Sequence, residues 1–326
     1  MEPIQATVTE ARRYSSPTRA DSVRAMPVLA AIDCGTNSTR LLIRDGTTTL
    51  DRRMTITRLG EGVGTSKVLQ ATAIQRTLVA LREYRTALDG HGVTALRISA
   101  TSAARDALNA ADFFDAAEAV VGTRPELLSG EEEGRLAFAG ATADLDPTDG
   151  PFLVVDIGGG STECIVGTDE VTAMRSFDLG SVRLTETHLA SDPPAPEELA
   201  NAIGEATDWF DELSREVPAA RTAQQVVGLA GTITTVAAIE IGLVKWDRDA
   251  LHHFRLTRAA AEDVFRTLAM ERFDDRVHNP GLDRDRADVI VGGCCILVAL
   301  MRTLGIDDLL VSEADVLDGL VASLAP

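Results

Sequence analysis

Residues 31–43 read AIDCGTNSTRLLI, and residues 154–166 read VVDIGGGSTECIV. Both fit one frame: two apolar residues, Asp, any residue, Gly, two more residues, Ser-Thr, then an apolar run. In each, a glycine-containing turn joins two apolar strands and no helix follows. That excludes dinucleotide binding, in which the glycine-rich turn must open a helix. A hairpin of this kind leaves backbone N–H groups bare and lets another group come close. Such concavities bind anions, phosphate above all. Gly35, Thr36, Asn37 and Ser38 in the first copy, and Gly158, Gly159, Gly160, Ser161 and Thr162 in the second, are therefore candidate phosphate-binding residues.

Asp33 and Asp156 end the buried strand that leads into each turn. A carboxylate beside a phosphate repels it unless a divalent cation stands between them. This points to Mg²⁺, held partly through water, with the two aspartates as candidate ligands. The plainer alternative is that each Asp only caps backbone N–H groups of its own turn. Two copies favour a clamp, since paired hairpins can grip one polyanion from both sides.

The repeated turn implies a repeated domain, and the pattern around it supports this. Strands are expected at 28–33, 39–44 and 50–57, a helix at 71–90, a strand at 95–100 and helices from 101 and near 111–122. After a helix opened by Glu131, Glu132 and Glu133, residues 152–157 restart the strand–turn–strand pattern. Helices follow at about 197–215, 232–242, 257–270 and 286–304, with strands at 226–231 and 307–313. The fold class is α/β, in two similar halves. The expected division is a disordered leader at 1–26, a first lobe at 27–132 and a second at 133–326. A final helix over 314–324 can pack back on the first lobe. GLAGTITT (228–235) is a third anion seat, because Gly231 and Thr232 lie where a strand becomes a helix.

Composition narrows the function classes. The formal net charge is −19, with 50 acidic and 31 basic side chains in 326 residues. Such a surface repels nucleic acid and anionic membranes, so neither is an expected partner. Cys34, Cys164, Cys294 and Cys295 show no zinc or C-x-x-C spacing and read as buried free thiols of a reducing compartment. No signal peptide is visible in the polar first 26 residues, and the apolar run near 289–301 is too short to span a bilayer. A cytoplasmic protein is expected. His252, His253 and His278 read as ordinary histidines.

These residues resemble the exopolyphosphatase / guanosine pentaphosphate phosphohydrolase family of the actin-like ATPase superfamily. The two hairpin motifs, LSGEEEGRLAF (128–138), GLAGTITTVAAI (228–239) and NPGLDRDRADVIVGG (279–293) carry the likeness, in the family's order. It implies two ribonuclease H-like (actin-like ATPase) lobes with a cleft between them, in a short form without a carboxyl-terminal helical domain. It implies release of terminal phosphate by attack of water. By the same resemblance Glu133 is the catalytic Glu, Glu163 is a second catalytic or metal-linked Glu, Asp156 belongs to the metal set and Arg105 contacts substrate. A homodimer is also consistent with it.

Phosphoanhydride hydrolysis needs an oriented water and charge neutralisation on the phosphoryl oxygens. Glu163 follows the glycine-rich turn and lies within reach of a phosphate held there. For Glu131–Glu133 the simple alternative is complementing a helix dipole, and for Arg105 a surface ion pair with Asp106 or Asp112. Arg40 is expected to point outward by strand alternation, and Arg286 and Asp288 to form a structural ion pair or cap. The expected substrate is inorganic polyphosphate. Guanosine pentaphosphate or a nucleoside triphosphate is the alternative, and a non-catalytic nucleotide-binding module the second.

Overall fold

A computed structural model describes residues 27–325; the expected leader at 1–26 lies outside them. The first lobe runs β1 (Val28–Cys34), β2 (Ser38–Asp45), β3 (Thr48–Ile56), α1 (Val63–Ser66), α2 (Ala71–His91), β4 (Ala95–Ala100), α3 (Ser102–Asp106), α4 (Ala110–Val121) and β5 (Glu126–Leu127). The chain continues through α5 (Gly130–Thr142), β6 (Phe152–Ile157), β7 (Thr162–Gly167), β8 (Val171–Phe177), α6 (Ser181–His188), α7 (Pro196–Glu216), β9 (Gln225–Leu229) and α8 (Ala230–Ile241). It ends with α9 (Arg248–Leu251), β10 (Arg255–Thr257), α10 (Arg258–Met270), α11 (Phe273–Arg276), α12 (Ile290–Leu304), β11 (Asp308–Val311) and α13 (Val316–Ala322).

The sheet orders make the repetition explicit. The first is β3-β2-β1-β4-β5, and the second is β10-β11-β9-β6-β7-β8. Read from β8, the second repeats the order of the first and adds β10 at its edge. In each, the central strand pairs antiparallel with its hairpin partner and parallel with the strand on its other side. Two ribonuclease H-like lobes are thus present. β1 and β6 are buried on both faces, as their unbroken apolar runs require of central strands.

Each sheet has its own apolar core. Ile32, Leu41, Leu81, Tyr84 and Phe113 fill the first, and Phe177, Phe210, Leu297 and Leu300 sit in the second. A third cluster lies between them. There Ala31 and Leu42 meet Phe138 and Ala141 of α5, Leu317 and Leu320 of α13, and Val154 and Ile165 of the second sheet. α5 packs on β6, β7 and β8, while α13 packs on α5, β1 and β2. The two helices touch backbone to backbone: a Cβ on Gly140 would strike the carbonyl of Asp315, and one on Gly319 that of Leu136. Small residues at a crossing permit this approach, and the seam ties the lobes together.

Two helices are shorter than the sequence pattern predicts. The helix expected from 101 to 108 is the single turn α3, and Thr101 makes no side-chain cap bond. The helix expected from 286 starts at Ile290, after a 3₁₀ turn capped by Asp283. In both places the chain must turn to meet the other lobe.

Candidate active site

The two hairpins face each other. A Cβ added to Gly160 would lie 2.5 Å from Ser102 Oγ and 2.7 Å from Thr36 Oγ1, so only glycine allows the second turn to seat against the first lobe. Thr36, Ser38, Gly159 and Ser161 line a cavity of about 390 Å³, together with Gly231 and Thr232 of the third loop. Gly35, Asn37, Gly158 and Gly160 complete the two turns on the same surface. Thr162 is the exception: it is fully buried, and its hydroxyl donates to the Leu179 carbonyl at 2.6 Å.

The hairpins share a backbone frame but differ in charge. Asp33 stands opposite Arg40 in the β1–β2 register, and Asp156 opposite Glu163 in β6–β7. Cross-strand neighbours point to the same face. In the first lobe this gives an ion pair, Arg40 Nη2 to Asp33 Oδ2 at 2.7 Å, while Ser99 Oγ donates to Asp33 Oδ1 at 2.9 Å. Arg40 therefore turns into the cleft, not outward, and its Nη1 also holds Asp315 at the start of α13, at 2.5 Å. Alternation fixes only relative facing, and Asp33 faces inward.

In the second lobe the same positions bring two carboxylates together. Both are buried, and Glu133 of α5 lies near them. Burial pushes Asp156 up to about 7, opposed by Arg40 and reinforced by Glu133, Asp315 and Asp33. Glu163 is raised well above the ordinary carboxylate range, first by burial and then by Glu133 and Asp156. Its Oε1 accepts from Ser176 Oγ at 2.7 Å. Glu133 rises to about 6 by burial, against the pull of Arg105.

Arg105 reaches Glu133 rather than Asp106 or Asp112. Its Nη1 donates to Glu133 Oε2 at 2.8 Å and to the Leu128 carbonyl at 2.9 Å. Glu133 Oε1 accepts from no described residue, and Glu133 lines the cavity with Asp33 and Asp156. Arg105 and Glu163 do not line it; they touch it through Glu133 and Asp156. Glu131 and Glu132 pair outward with Arg135 and Arg97, the part of helix-start charges.

Arg286 is a site residue that the sequence reading assigned to structure. Its guanidinium presses on Gly231, where any Cβ would collide with it. Asp288, its expected partner, pairs with Arg58 at 2.7 Å. Arg286 has no ion pair among the described residues, and burial lowers it to about 10, with Arg40 adding repulsion. Beside it Ala230 begins α8 at φ 63°, a left-handed conformation costing about 1–3 kcal/mol. Ala230, Gly231 and Thr232, which open α8, all line the cavity. The place of Arg286 within the motif NPGLDRDRADVIVGG was the available signal.

Several buried donors along this cavity lack partners. Asn37 Nδ2 and the Nε atoms of Arg40, Arg52 and Arg248 are buried with no hydrogen bond. Every orphaned buried side-chain atom among the described lining residues is thus a nitrogen donor. Each costs about 1–3 kcal/mol. The cavity wall is rich in guanidinium groups, with the carboxylate cluster at one end.

The carboxylates also fit a divalent cation. Asp156, Glu163 and Glu133 crowd like charge into a buried place, which a cation would relieve. They form no close trio: among the described residues only Asp144, His252 and His253 bring three ligand atoms within 4.8 Å of one another. An ion at Asp156 would therefore keep waters or phosphate oxygens, which is how Mg²⁺ is usually held. Asp33 is already neutralised by Arg40. The His252–His253 cluster is a brace. The Glu313 amide donates to His252 Nδ1 at 3.2 Å, so Nε2 carries the proton that bonds Asp144 at 2.8 Å. The rings stack at 4.0 Å, and His253 Nε2 lies 3.7 Å from the same Asp144 oxygen.

The fold is thus a two-lobed α/β protein in which three small-residue loops and buried carboxylates share one cavity. The chain belongs to the Ppx/GppA phosphatase family, whose model matches residues 41–326, and is accordingly a phosphoanhydride hydrolase. It is 41% identical to "Exopolyphosphatase 2" of Mycobacterium tuberculosis, over 92% of this chain and 99% of that protein. A solved exopolyphosphatase-like protein superposes with a TM-score of 0.87 at 35% identity, covering 90% of this chain and 98% of the other. The Aquifex aeolicus Ppx/GppA family member gives 0.75 at 33%, covering 91% and 97%.

Proposed function

We propose that the chain is an exopolyphosphatase that releases terminal orthophosphate from inorganic polyphosphate by direct attack of water. The observation that carries this reading is a cavity lined by arginines with no ion pair among the described residues, Arg286 and Arg248, whose other end holds carboxylates. The terminal phosphoryl group sits between the glycine hairpins. Their N–H groups, Ser38 and Ser161 bind its oxygens. The next phosphates follow toward Gly231, Thr232 and Arg286.

Glu133 orients the water and takes its proton at Oε1, while Arg105 fixes Oε2. Raised to about 6, it is ionised near pH 7 yet basic enough to accept a proton, the compromise that suits a general base. Asp156, backed by Glu163, would hold Mg²⁺, with Glu133 near by. When bound, the ion neutralises charge on the phosphoryl oxygens. Guanidinium groups do the same along the chain. No phosphoenzyme is expected, since no nucleophilic side chain is needed. Among the described residues no helix is long and apolar enough to cross a membrane. The four cysteines, all buried and free, suit the reducing cytoplasm.

The test is phosphate release from polyphosphate, guanosine pentaphosphate and ATP, with and without Mg²⁺. Polyphosphate is expected to be the preferred substrate. Glu133→Gln should lower kcat by about 10²–10⁴-fold, the usual contribution of a positioned base. Near-normal release by that variant would remove Glu133 from its role, and exclusive cleavage of guanosine pentaphosphate would replace the substrate.

A further inference from the structure

The parallel strands of the second sheet lay a ruler across the cleft. β6, β9 and β11 are neighbours and run in the same direction. Their carboxyl ends deliver Asp156 and the glycine hairpin, then Gly231, then Ser312 and Glu313, all on the cavity surface. Neighbouring strands lie about 4.8 Å apart, so the β11 end stands about 10 Å from the hairpin that seats the terminal phosphate. Several phosphoryl groups of a bound chain would span that distance.

Arg248 stands at this far end. It opens α9, and its side chain lines the cavity. Its Nε is buried with no hydrogen-bond partner, and it makes no ion pair among the described residues. Glu313 and Asp315 are the acids that feel its charge, without contact. The backbone beneath it is fixed. Asp247 caps α9 through the amides of Asp249 and Ala250, and the His252 amide bonds the Arg248 carbonyl at 2.8 Å. His252 in turn accepts from the Glu313 amide and holds Asp144. A rigid base carrying a guanidinium with open valences is a preorganised anion contact.

We infer that Arg248 is a chain-length determinant: it binds a phosphoryl group remote from the cleaved one, so that longer polyphosphate gains affinity over tripolyphosphate. This rests on the exopolyphosphatase reading and adds a subsite to it. Arg286 serves the middle of the track, and Arg248 closes it.

The experiment compares kcat and KM for tripolyphosphate and for long-chain polyphosphate in the wild type, Arg248→Gln and Arg248→Lys. Arg266→Gln, which alters an exposed ion pair outside the cleft, controls for net charge. Arg248→Gln should raise KM for the long chain by about tenfold to a hundredfold, the loss of one charge-assisted contact. KM for tripolyphosphate should move far less, kcat on the long chain should fall little, and Lys should restore part of the difference. Equal loss on both substrates, or no loss on either, overturns the inference while the parent reading stands. A wild type that releases phosphate from neither overturns both.

Discussion

Replacing Asp156 by Asn keeps its shape and removes its charge, which isolates the electrostatic cost of the carboxylate cluster. Asp156 is pushed up to about 7 from an ordinary 3.8. That is about 3 pH units, at about 1.4 kcal/mol each, or roughly 4 kcal/mol for ionising it in the folded protein without a cation. The sign follows from linkage. An acid whose folded value is raised binds more protons folded than unfolded. Its contribution is therefore fully present below the unfolded value near 4 and is lost as pH rises through about 7. Roughly two thirds of the cost, about 3 kcal/mol, develops between pH 5 and pH 8. A chain this long shifts its midpoint by about 1.5 °C per kcal/mol, so about 4 °C is expected from this group.

The assay is thermal unfolding in chelator at pH 5 and pH 8, for the wild type and Asp156→Asn, then with Mg²⁺ added. The wild-type midpoint should fall between the two pH values by about 4 °C more than that of the variant. Mg²⁺ should raise the wild type more at pH 8 than at pH 5, because protons compete for the same carboxylates. The general self-repulsion of a −19 chain affects both proteins and cancels in the comparison. Equal pH slopes in the two proteins, or a Mg²⁺ effect of the same size at both pH values, would refute the reasoning.

Glu163→Gln keeps the bond from Ser176 but removes a charge behind Asp156; activity should fall about 10–100-fold, with a weaker Mg²⁺ dependence measured by titrating release against the ion. Gly160→Ala drives a methyl group against Ser102 and Thr36, and should lower stability by about 1–3 kcal/mol in denaturant unfolding, with partial rescue by Ser102→Gly. Arg286→Gln should raise KM for every polyphosphate tested by about tenfold or more, with a smaller change in kcat, because its guanidinium binds the chain rather than the attacking water.

The hairpins, the two lobes and the third loop were legible in the sequence. Each is a local pattern: apolar runs of strand length, a turn that needs glycine, and a strand that becomes a helix. The repetition of AIDCGTNST as VVDIGGGST was enough to imply one fold built twice and an anion between the copies. The charges within that frame were decided by the tertiary structure. Asp33 and Asp156 occupy equivalent positions, yet one faces Arg40 across the sheet and the other Glu163. Register could have suggested this, but not that Arg40 would also reach Asp315 from a helix at the opposite end of the chain. Arg286 read as half of a structural ion pair or cap, and Arg248 drew no reading at all, because local pattern does not mark a cavity wall. Their part follows from missing partners, and a missing partner is visible only when every group around a side chain has been brought into place. Backbone shape is set by neighbours along the chain, whereas the protonation and pairing of a buried charge are set by neighbours in space.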